Sequence, residues 1–218
     1  MSLTIETPAK NNALQQFLHY CHIKSYPAKT SIIRPGDTGD RLYYIVEGSV
    51  SVCAEDDDGR ELILAYLNKN DFIGEIGVFK GQEIRKVTIK TRTKCQLAEI
   101  GYERFKQMLH RELSEYAVEL LFLLAEQISS RLLITTRNYQ DLAFLDVKQR
   151  ITRTLFDLCK QPDAITHPDG MQLRITRQEI GRIVGCSREM AGRVLKELEE
   201  QDQKITARGK TIVVFGTR

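Results

Sequence analysis

The chain has 218 residues, enough for one large domain or two small ones. Its 42% hydrophobic and 28% charged residues exclude a disordered or low-complexity chain, and no apolar run approaches the roughly 20 residues of a membrane helix. The net charge of +3 is unevenly spread: residues 146–218 carry 14 lysines and arginines against 10 acidic residues, a balance of +4, which leaves −1 for residues 1–145. A basic C-terminal third favours a module that binds a polyanion.

The cysteines are scattered at positions 21, 53, 95, 159 and 186, and they form no Cys-x-x-Cys pair. Their odd number and spacing favour reduced thiols over a disulfide framework or a zinc site. We therefore expect a cytoplasmic protein with no metal, no cofactor and no contact with a membrane.

Residues 30–100 have the pattern of short strands. The runs LYYIVEG, SVSVCAE and ELILAYL are rich in Val, Ile, Leu and Tyr, and turn sequences such as PGDTGD and EDDDG separate them. Short strands at regular spacing, without a βαβ rhythm, predict an antiparallel barrel or roll within an α+β fold.

One long helix is predicted from about residue 102 to 141. Its apolar positions recur at steps of three or four residues and are Leu113, Ala117, Leu120, Leu124, Ile128 and Leu132. A helix of about 40 residues spans roughly 60 Å, which is more than a small roll covers. We expect this stripe to meet a second copy of itself, as in a coiled coil, and packing against its own roll is the alternative.

A domain boundary is predicted near LAFLDV (142–147), where the periodicity breaks. Asp146 is suited to cap a new helix beginning VKQRITRTLFDLCK. The two predicted domains are residues 1–145 and residues 146–218.

The stretch TRQEIGRIVGCSREMAGRVLKELEEQ predicts a helix-turn-helix. Thr176 is the expected cap of the first helix, with Glu179 as its capping-box partner. Gly185 suits the tight turn, and Ser187 is the expected cap of the second helix. ARGKTIVVFGTR then predicts a closing hairpin, or wing.

The second helix of this motif presents a polar face with Arg188, Glu189 and Arg193. In such motifs the N-terminal residues of the second helix reach base edges in the major groove. Arginine forks onto guanine O6 and N7, and glutamate accepts from cytosine N4, so this face predicts DNA binding, with a solvated helix face as the alternative. The predicted DNA contacts are Thr176, Arg177, Ser187, Arg188, Glu189, Arg193 and Lys196, and Arg208 and Lys210 are candidate phosphate contacts.

A second candidate site lies in FIGEIGVFKGQEIRK (72–86). Small residues around Gly74 free backbone N–H groups to point at an anion. Glu75 would repel a phosphate but accept from a sugar hydroxyl, and Arg85 offers a planar fork for two phosphate oxygens. These groups together favour a ribose phosphate, and a β-turn with a surface arginine is the alternative.

The whole chain resembles the bacterial cyclic-AMP receptor protein (catabolite activator protein) family. The segments that carry the resemblance are YYIVEGSVSV, YLNKNDFIGEIGVF, LAFLDV, KQPDAITHPDGMQ, ITRQEIGRIVGCSRE and GKTIVVFGTR. The resemblance implies an N-terminal β-roll that binds cAMP, a long dimerisation helix and a C-terminal winged helix-turn-helix. It therefore implies a homodimeric transcription regulator, allosterically controlled by cAMP, that binds TGTGA-like inverted repeats in double-stranded DNA.

The resemblance also implies roles for ligand-binding residues. Gly74 and Glu75 would hold the phosphate and the ribose 2′-OH, and Arg85 the cyclic phosphate. Thr135 and Thr136 match the pair that contacts adenine, the second of them in the partner subunit's site. Lys86 departs from the family, whose members usually have a small hydroxyl residue there. A larger or more anionic nucleotide is therefore a rival ligand.

Contacts with RNA polymerase are implied at two surfaces. The loop from Ala164 to Gly170 matches one of them, with Ala164, Thr166, His167 and Gly170 as its residues. A second, basic patch is implied at His22, Lys24 and Arg104.

Three other classes of protein stay open as alternatives. An enzyme is disfavoured because the sequence has no nucleophile elbow, no metal-ligand cluster and no P-loop. An iron–sulfur sensor would need clustered cysteines near the N-terminus, whereas a haem sensor would need an axial ligand such as His22 or Cys21. A dimer that binds DNA without any ligand is the third.

Overall fold

The computed structural model describes residues 8–81 and 83–217. The N-terminal elements are α1 (Pro8–His19), β1 (His22–Tyr26), β2 (Ser31–Ile33), β3 (Thr38–Gly39), β4 (Arg41–Glu47), β5 (Val50–Glu55), β6 (Glu61–Leu67), β7 (Phe72–Ile73), α2 (Glu75–Lys80), β8 (Glu83–Ile84), β9 (Thr88–Thr91), β10 (Cys95–Gly101), α3 (Tyr102–Leu109) and α4 (Ala117–Phe144). The C-terminal elements are α5 (Val147–Leu158), β11 (Ile165–His167), β12 (Gly170–Arg174), α6 (Arg177–Val184), α7 (Arg188–Glu200), β13 (Ile205–Arg208) and β14 (Thr211–Phe215).

The N-terminal strands form an antiparallel β-roll, which confirms the predicted fold. One four-stranded sheet has the order β1-β10-β4-β7, the other has the order β2-β9-β5-β6, and β3 pairs with β8. Apolar side chains such as Ile45, Ile73 and Leu97 are fully buried and pack in one cluster. This burial is the main source of the roll's stability, because apolar area removed from water is the dominant favourable term in folding.

The prediction of one helix over residues 102–141 is wrong at its start. The chain forms α3, then a short irregular stretch with a 3₁₀ turn at Ser114–Tyr116, and only then α4, which ends at Phe144. Leu113 is buried in this stretch. No glycine or proline marks this break in the sequence. In the structure, the break coincides with the burial of Leu113 in the core cluster of the N-terminal unit.

The prediction that this apolar stripe mediates self-association is also wrong in part. Leu113, Leu120 and Leu124 are buried in the same cluster as Phe17 and Phe105 of the roll, so the alternative, packing against its own roll, holds for this half of the stripe. Other large apolar residues of α4 are exposed, and they include Leu132 of the predicted stripe. The exposed residues are Val118, Leu121, Phe122, Leu132, Leu133, Ile134, Tyr139, Leu142 and Phe144.

The C-terminal elements form a three-helix core with a four-stranded antiparallel sheet in the order β11-β12-β14-β13. Asp146 caps α5 as predicted: its side chain accepts from the Gln149 amide, and the Gln149 side chain accepts from the Asp146 amide. Ile151, Ile180 and Leu195 are buried in one apolar cluster that joins α5, α6 and α7.

Packing divides the chain into two compact units. The first contains residues 1–53 and 65–135, and the second contains residues 54–64 and 136–218. The predicted domain boundary at 145/146 falls in the gap between α4 and α5 and stays a prediction. Within residues 8–81 and 83–217, no helix is long and apolar enough to cross a membrane.

Candidate functional site

Gly74 lies at the centre of the candidate ligand site, between β7 and α2. Its φ of 84° is in the left-handed region, which glycine adopts without strain. A Cβ here would lie 2.8 Å from the Arg41 carbonyl oxygen and 3.0 Å from both terminal nitrogens of Arg85. Gly74 is therefore required both by its backbone conformation and by the close approach of Arg85.

The guanidinium of Arg85 lies beside Gly74, as the sequence predicted for a phosphate fork, but it already has partners. Its Nη2 donates to the Arg41 carbonyl oxygen at 2.8 Å and to the Tyr102 hydroxyl at 3.0 Å. The Tyr102 hydroxyl in turn donates to the Gly74 carbonyl oxygen at 2.6 Å. Both bonds of Arg85 engage Nη2, one of the three nitrogens of its guanidinium, so an anion that binds this nitrogen would compete with them.

Tyr102 was not predicted to belong to this site. Its ring fills the space where a Gly77 side chain would be, since a Cβ on Gly77 would lie 2.4 Å from the Tyr102 hydroxyl. Burial raises the pKa of Tyr102, although the nearby Arg85 opposes this, and the hydroxyl therefore stays protonated and able to donate. The sequence carries no local signal for this contact, because Tyr102 lies in a separate helix.

Glu75, the predicted acceptor for a sugar hydroxyl, is 2% exposed and ion-paired. Arg131 of α4 donates from Nη1 to Glu75 Oε1 at 2.5 Å and from Nη2 to the Phe72 carbonyl oxygen at 2.6 Å. Gln127, one turn earlier, exchanges two hydrogen bonds with the backbone of Phe72, at 2.6 and 2.9 Å. Sequence analysis missed Gln127 and Arg131, which form a polar i, i+4 pair on α4.

The remaining predicted ligand residues lie at the surface. Lys86 is exposed, and Thr135 and Thr136 are both exposed on α4. The division between the two compact units falls between these threonines. The structure thus brings Gly74, Glu75 and Arg85 together with Tyr102, Gln127 and Arg131, whereas Lys86 and the threonines are exposed side chains.

The helix-turn-helix has the caps that the sequence predicted. Thr176 Oγ1 accepts from the Glu179 amide at 3.1 Å, and Ser187 Oγ accepts from the Met190 amide at 3.1 Å. Gly185 takes the left-handed backbone of the turn, with φ of 71°. Gly181 was not singled out, yet a Cβ there would lie 2.6 Å from the Cys186 carbonyl oxygen. The lack of a side chain at Gly181 therefore allows α6 to approach the backbone of the turn this closely.

The face of α7 predicted to contact DNA is exposed, with Arg188, Glu189, Arg193 and Lys196 on the surface. Hydrogen bonds from its own backbone amide and from Ser187 hold the pKa of Glu189 below its usual value. Glu189 therefore stays an ionised acceptor, the form that a cytosine amino group requires. Arg177 is also exposed.

The hairpin of β13 and β14 matches the predicted wing. Gly209 has φ of 62° in its turn. Arg208 and Lys210, the two candidate phosphate contacts, are exposed beside it.

Only some of the residues predicted to contact RNA polymerase in the loop 164–170 are exposed. Thr166 is exposed, Ala164 and His167 are half-buried, and Gly170 is buried, with a Cβ position 2.0 Å from the Val214 carbonyl oxygen. Gly170 therefore serves the packing of β12 on β14 and does not itself present a contact.

The predicted basic patch consists of exposed residues, two of which have acidic partners. Lys24 forms an ion pair with the buried Glu99, and this hydrogen bond raises the pKa of Lys24. Arg104 Nη2 lies 3.3 Å from Glu112 Oε1. His22 is exposed on β1.

A cleft of about 760 Å³ lies within the C-terminal unit. Its lining includes Arg137, Arg153, Lys160 and the ring of Phe156, together with three aspartates. Arg137 Nη2 donates to Asp157 Oδ2 at 2.6 Å, and Lys160 lies 3.4 Å from the other oxygen of that carboxylate. Several cations beside an aromatic ring suit an anionic ligand that carries a base able to stack.

Comparisons with known proteins match both halves of the chain. Residues 23–112 match the cyclic nucleotide-binding domain, and residues 173–202 match the crp family of bacterial regulatory proteins. The CRP-like protein Clp of Xanthomonas campestris is 51% identical over 217 residues, covering 100% of this chain and 92% of Clp. The chain belongs to the CRP family of transcription regulators. This is a family of regulators and not of enzymes.

Solved structures agree with this family assignment. The structure of Clp from X. campestris, described as a c-di-GMP-responsive global regulator, has a TM-score of 0.88 and 51% identity and covers 95% of this chain and 100% of that one. A CRP/FNR-family transcriptional regulator from Thermus thermophilus has a TM-score of 0.73 and 26% identity, covering 89% and 93% of the two chains.

A sensor with a metal cofactor is one of the alternatives that the sequence leaves open, and it would need cysteine or histidine ligands. Among residues 8–81 and 83–217, no three His, Cys, Asp or Glu side chains are grouped to hold a metal ion. Burial raises the pKa of the Cys21 thiol to about 12, so it is a poor thiolate ligand. His22, next to it, is an exposed side chain on β1.

Proposed function

We propose that this CRP-family chain is a homodimeric, sequence-specific DNA-binding regulator in the cytoplasm that is controlled by a cyclic dinucleotide. The observation that carries the ligand assignment is the 51% identity, over nearly the whole chain, to the c-di-GMP-responsive Clp of X. campestris. The sequence favoured cAMP as the ligand, and the alternatives were another cyclic nucleotide or dinucleotide, or a regulator that acts without ligand. The comparisons support the cyclic dinucleotide better than cAMP.

The internal bonds of the β-roll site are consistent with this proposal. Arg85 is held by the Arg41 carbonyl oxygen and by Tyr102, and Glu75 is held by Arg131. A small cyclic nucleotide that binds Nη2 of Arg85 or the carboxylate of Glu75 exchanges these bonds for its own, and the net gain per exchanged hydrogen bond is modest. cAMP is the second candidate ligand, favoured by the grouping of Gly74, Glu75 and Arg85.

The cleft of the C-terminal unit suits a dinucleotide. Arg153 and Lys160 line the cleft and would exchange their ion pairs with Asp141 and Asp157 for two phosphates. Phe156 supplies a stacking surface, and Asp157 supplies an acceptor for the amino edge of guanine. Because α5 and the DNA-reading helices share one apolar cluster, a ligand in this cleft has a direct structural route to the DNA-binding face.

Dimerisation is proposed through the exposed face of α4. Val118, Phe122, Leu132 and Leu133 are more than 60% exposed. Val118 is three and four residues from Leu121 and Phe122, and Leu132 and Leu133 lie about three turns further along α4, so these residues share one face of the helix. Large apolar residues at this spacing are typical of a helix that packs against another helix. A dimer would also place two copies of α7 for an inverted repeat of TGTGA-like half-sites.

Contact with RNA polymerase is retained as part of the proposal. Thr166 is exposed on β11, His22 and Lys24 are exposed on β1, and Arg104 is exposed on α3. The basic patch supplies positive charge for an acidic partner surface. Lys24 contributes less of this charge than an unpaired lysine would, because it is paired with Glu99.

Calorimetric titration of the purified full-length chain with c-di-GMP and with cAMP tests the ligand. We expect c-di-GMP to bind and to change the affinity for a TGTGA-type inverted repeat. Binding of cAMP without binding of c-di-GMP would replace the proposal by its second candidate, and heat from neither nucleotide would favour a regulator without a ligand.

Two variants then locate the ligand. Arg153→Ala should weaken c-di-GMP binding if the cleft holds it, whereas Arg85→Leu should weaken it if the β-roll does. Lys69→Ala, an exposed lysine in a turn of the roll, is the matched control for loss of one positive charge.

A further inference from the structure

The end of the β5–β6 hairpin belongs to the same compact unit as the DNA-reading helices. Its sequence, AEDDDGRELIL (54–64), carries five carboxylates and one arginine, a charge of −4. Arg60 bonds to both Asp56 and Asp58 at 2.8 Å, and Asp56 also accepts from the backbone amides of Asp58 and Arg60. These bonds give the acidic turn a defined shape.

Two contacts join this hairpin to the helix-turn-helix. Nη1 of Arg182, in α6, lies 2.8 Å from Oε2 of Glu61. Leu62 Cδ1 lies 3.9 Å from the Cβ position of Gly185, the left-handed residue of the turn before α7. An ion pair and an apolar contact therefore hold a strongly acidic hairpin against the module that reads DNA.

This arrangement opposes the attraction on which DNA binding depends. Neutralisation of phosphates by lysine and arginine supplies nearly all nonspecific and much specific affinity for DNA. The Glu61 carboxylate occupies Arg182, and the hairpin that carries the other four carboxylates contacts the turn after α6. Both effects lower the affinity of this unit for a polyanion.

We propose that the acidic hairpin is an autoinhibitory element, held on α6 by the Glu61–Arg182 pair, that lowers the affinity for DNA. Its release, by whatever ligand or partner displaces the hairpin, would free Arg182 and remove the nearby negative charge. The proposal goes beyond the ligand assignment and rests only on the proposed binding of DNA.

The test compares two variants that each remove one exposed carboxylate from the hairpin in the full-length chain. Glu61→Gln breaks the pair with Arg182, whereas Asp57→Asn changes the net charge equally and leaves the pair in place. Affinity for an inverted-repeat duplex is measured by fluorescence anisotropy across a salt series. Because partly exposed ion pairs contribute little, we expect Glu61→Gln to tighten binding about two- to five-fold more than Asp57→Asn does.

The salt dependence gives a second readout. If freed Arg182 contacts a phosphate, the slope of log K against log salt should steepen by up to about 0.9 in Glu61→Gln alone. The charge-reversed pair Glu61→Lys with Arg182→Glu should restore wild-type affinity, while Glu61→Lys alone should bind more tightly.

Equal effects of Glu61→Gln and Asp57→Asn, or weaker binding by Glu61→Gln, would overturn the proposal. Because Glu61 is partly exposed, matching melting temperatures are expected and confirm that the variants fold. A wild-type chain that binds no DNA would instead refute the proposed function, so the two failures are distinguishable.

Discussion

Glu75 and Arg131 form a buried ion pair between residues 56 positions apart in sequence. The same guanidinium also bonds the Phe72 carbonyl oxygen, so one side chain of α4 fixes both β7 and the start of α2. The candidate ligand site is thus attached to the helix whose exposed face is proposed to form the dimer. A ligand that disturbs Glu75 would act directly on α4.

Loss of Arg131 should destabilise the β-roll. Arg131→Leu leaves the Glu75 carboxylate buried without a partner, and breaking such a pair typically costs about 3–5 kcal/mol. Urea unfolding followed by circular dichroism measures the change. The double variant Glu75→Gln with Arg131→Leu should recover much of the loss, and the pair contributes little if the two variants are equally stable.

Asp71 should make stability depend on pH. Burial raises the pKa of its carboxyl group, although the Asn68 amide and Arg131 oppose the shift. Since the folded pKa lies above the unfolded one, the contribution of Asp71 to stability is full below the unfolded pKa and is lost as pH rises through the folded value. Asp71→Asn should match the wild type at low pH and exceed its stability near neutrality, as measured by melting temperature over a pH series. Parallel curves for the two proteins would contradict this assignment.

Tyr102→Phe should remove one hydrogen-bond partner from the guanidinium of Arg85. The variant removes a hydroxyl that competes with a phosphate for Nη2 of Arg85. One lost competing bond of 0.5–1.5 kcal/mol corresponds to roughly 2- to 10-fold tighter binding of cAMP in calorimetry. Arg85→Leu is the control that should abolish this binding. An unchanged affinity would mean that Arg85 does not meet the nucleotide.

Glu189→Ala should relax base discrimination. An ionised glutamate at the start of α7 can accept from cytosine N4, and its loss is expected to cost about 1–3 kcal/mol of selectivity at one base pair. Competition with single-substituted duplexes measures this position by position. Lys196→Ala is the contrast, since loss of a phosphate contact should weaken all sequences alike and reduce the salt slope by about 0.9. Unaltered selectivity at every position would show that α7 does not read the bases through Glu189.

Gly181→Ala should destabilise the helix-turn-helix. The new Cβ would meet the Cys186 carbonyl oxygen at 2.6 Å, a backbone atom that cannot move without distorting the turn. Overpacking of this kind typically costs about 1–3 kcal/mol. Gly192→Ala is the matched control, because its Cβ would lie at an ordinary 3.4 Å from the flexible side chain of Arg177. Thermal unfolding should separate the two variants, and equal melting temperatures would show that the turn adapts.

Features that depend on near neighbours in the chain could be predicted from the sequence. The caps at Asp146, Thr176 and Ser187 were predictable because each joins a side chain to a backbone amide three residues away. The strands of the roll were predictable in kind from β-branched and aromatic runs between turn residues. The position of Arg188 and Glu189 at the start of α7 was predictable for the same reason, because the Ser187 cap sets where this helix begins.

The face that each helix buries, and the element it packs against, could be assigned only from the folded chain. The apolar periodicity that marks Leu120 and Leu124 is the same whether a helix packs on its own roll or on a second copy, and the roll covers these two residues. Likewise, no local pattern joins Glu75 to Arg131 or Gly77 to Tyr102, because these contacts arise between elements far apart in sequence. Burial and close approach are properties of the assembled core, so they appear only once the chain has folded.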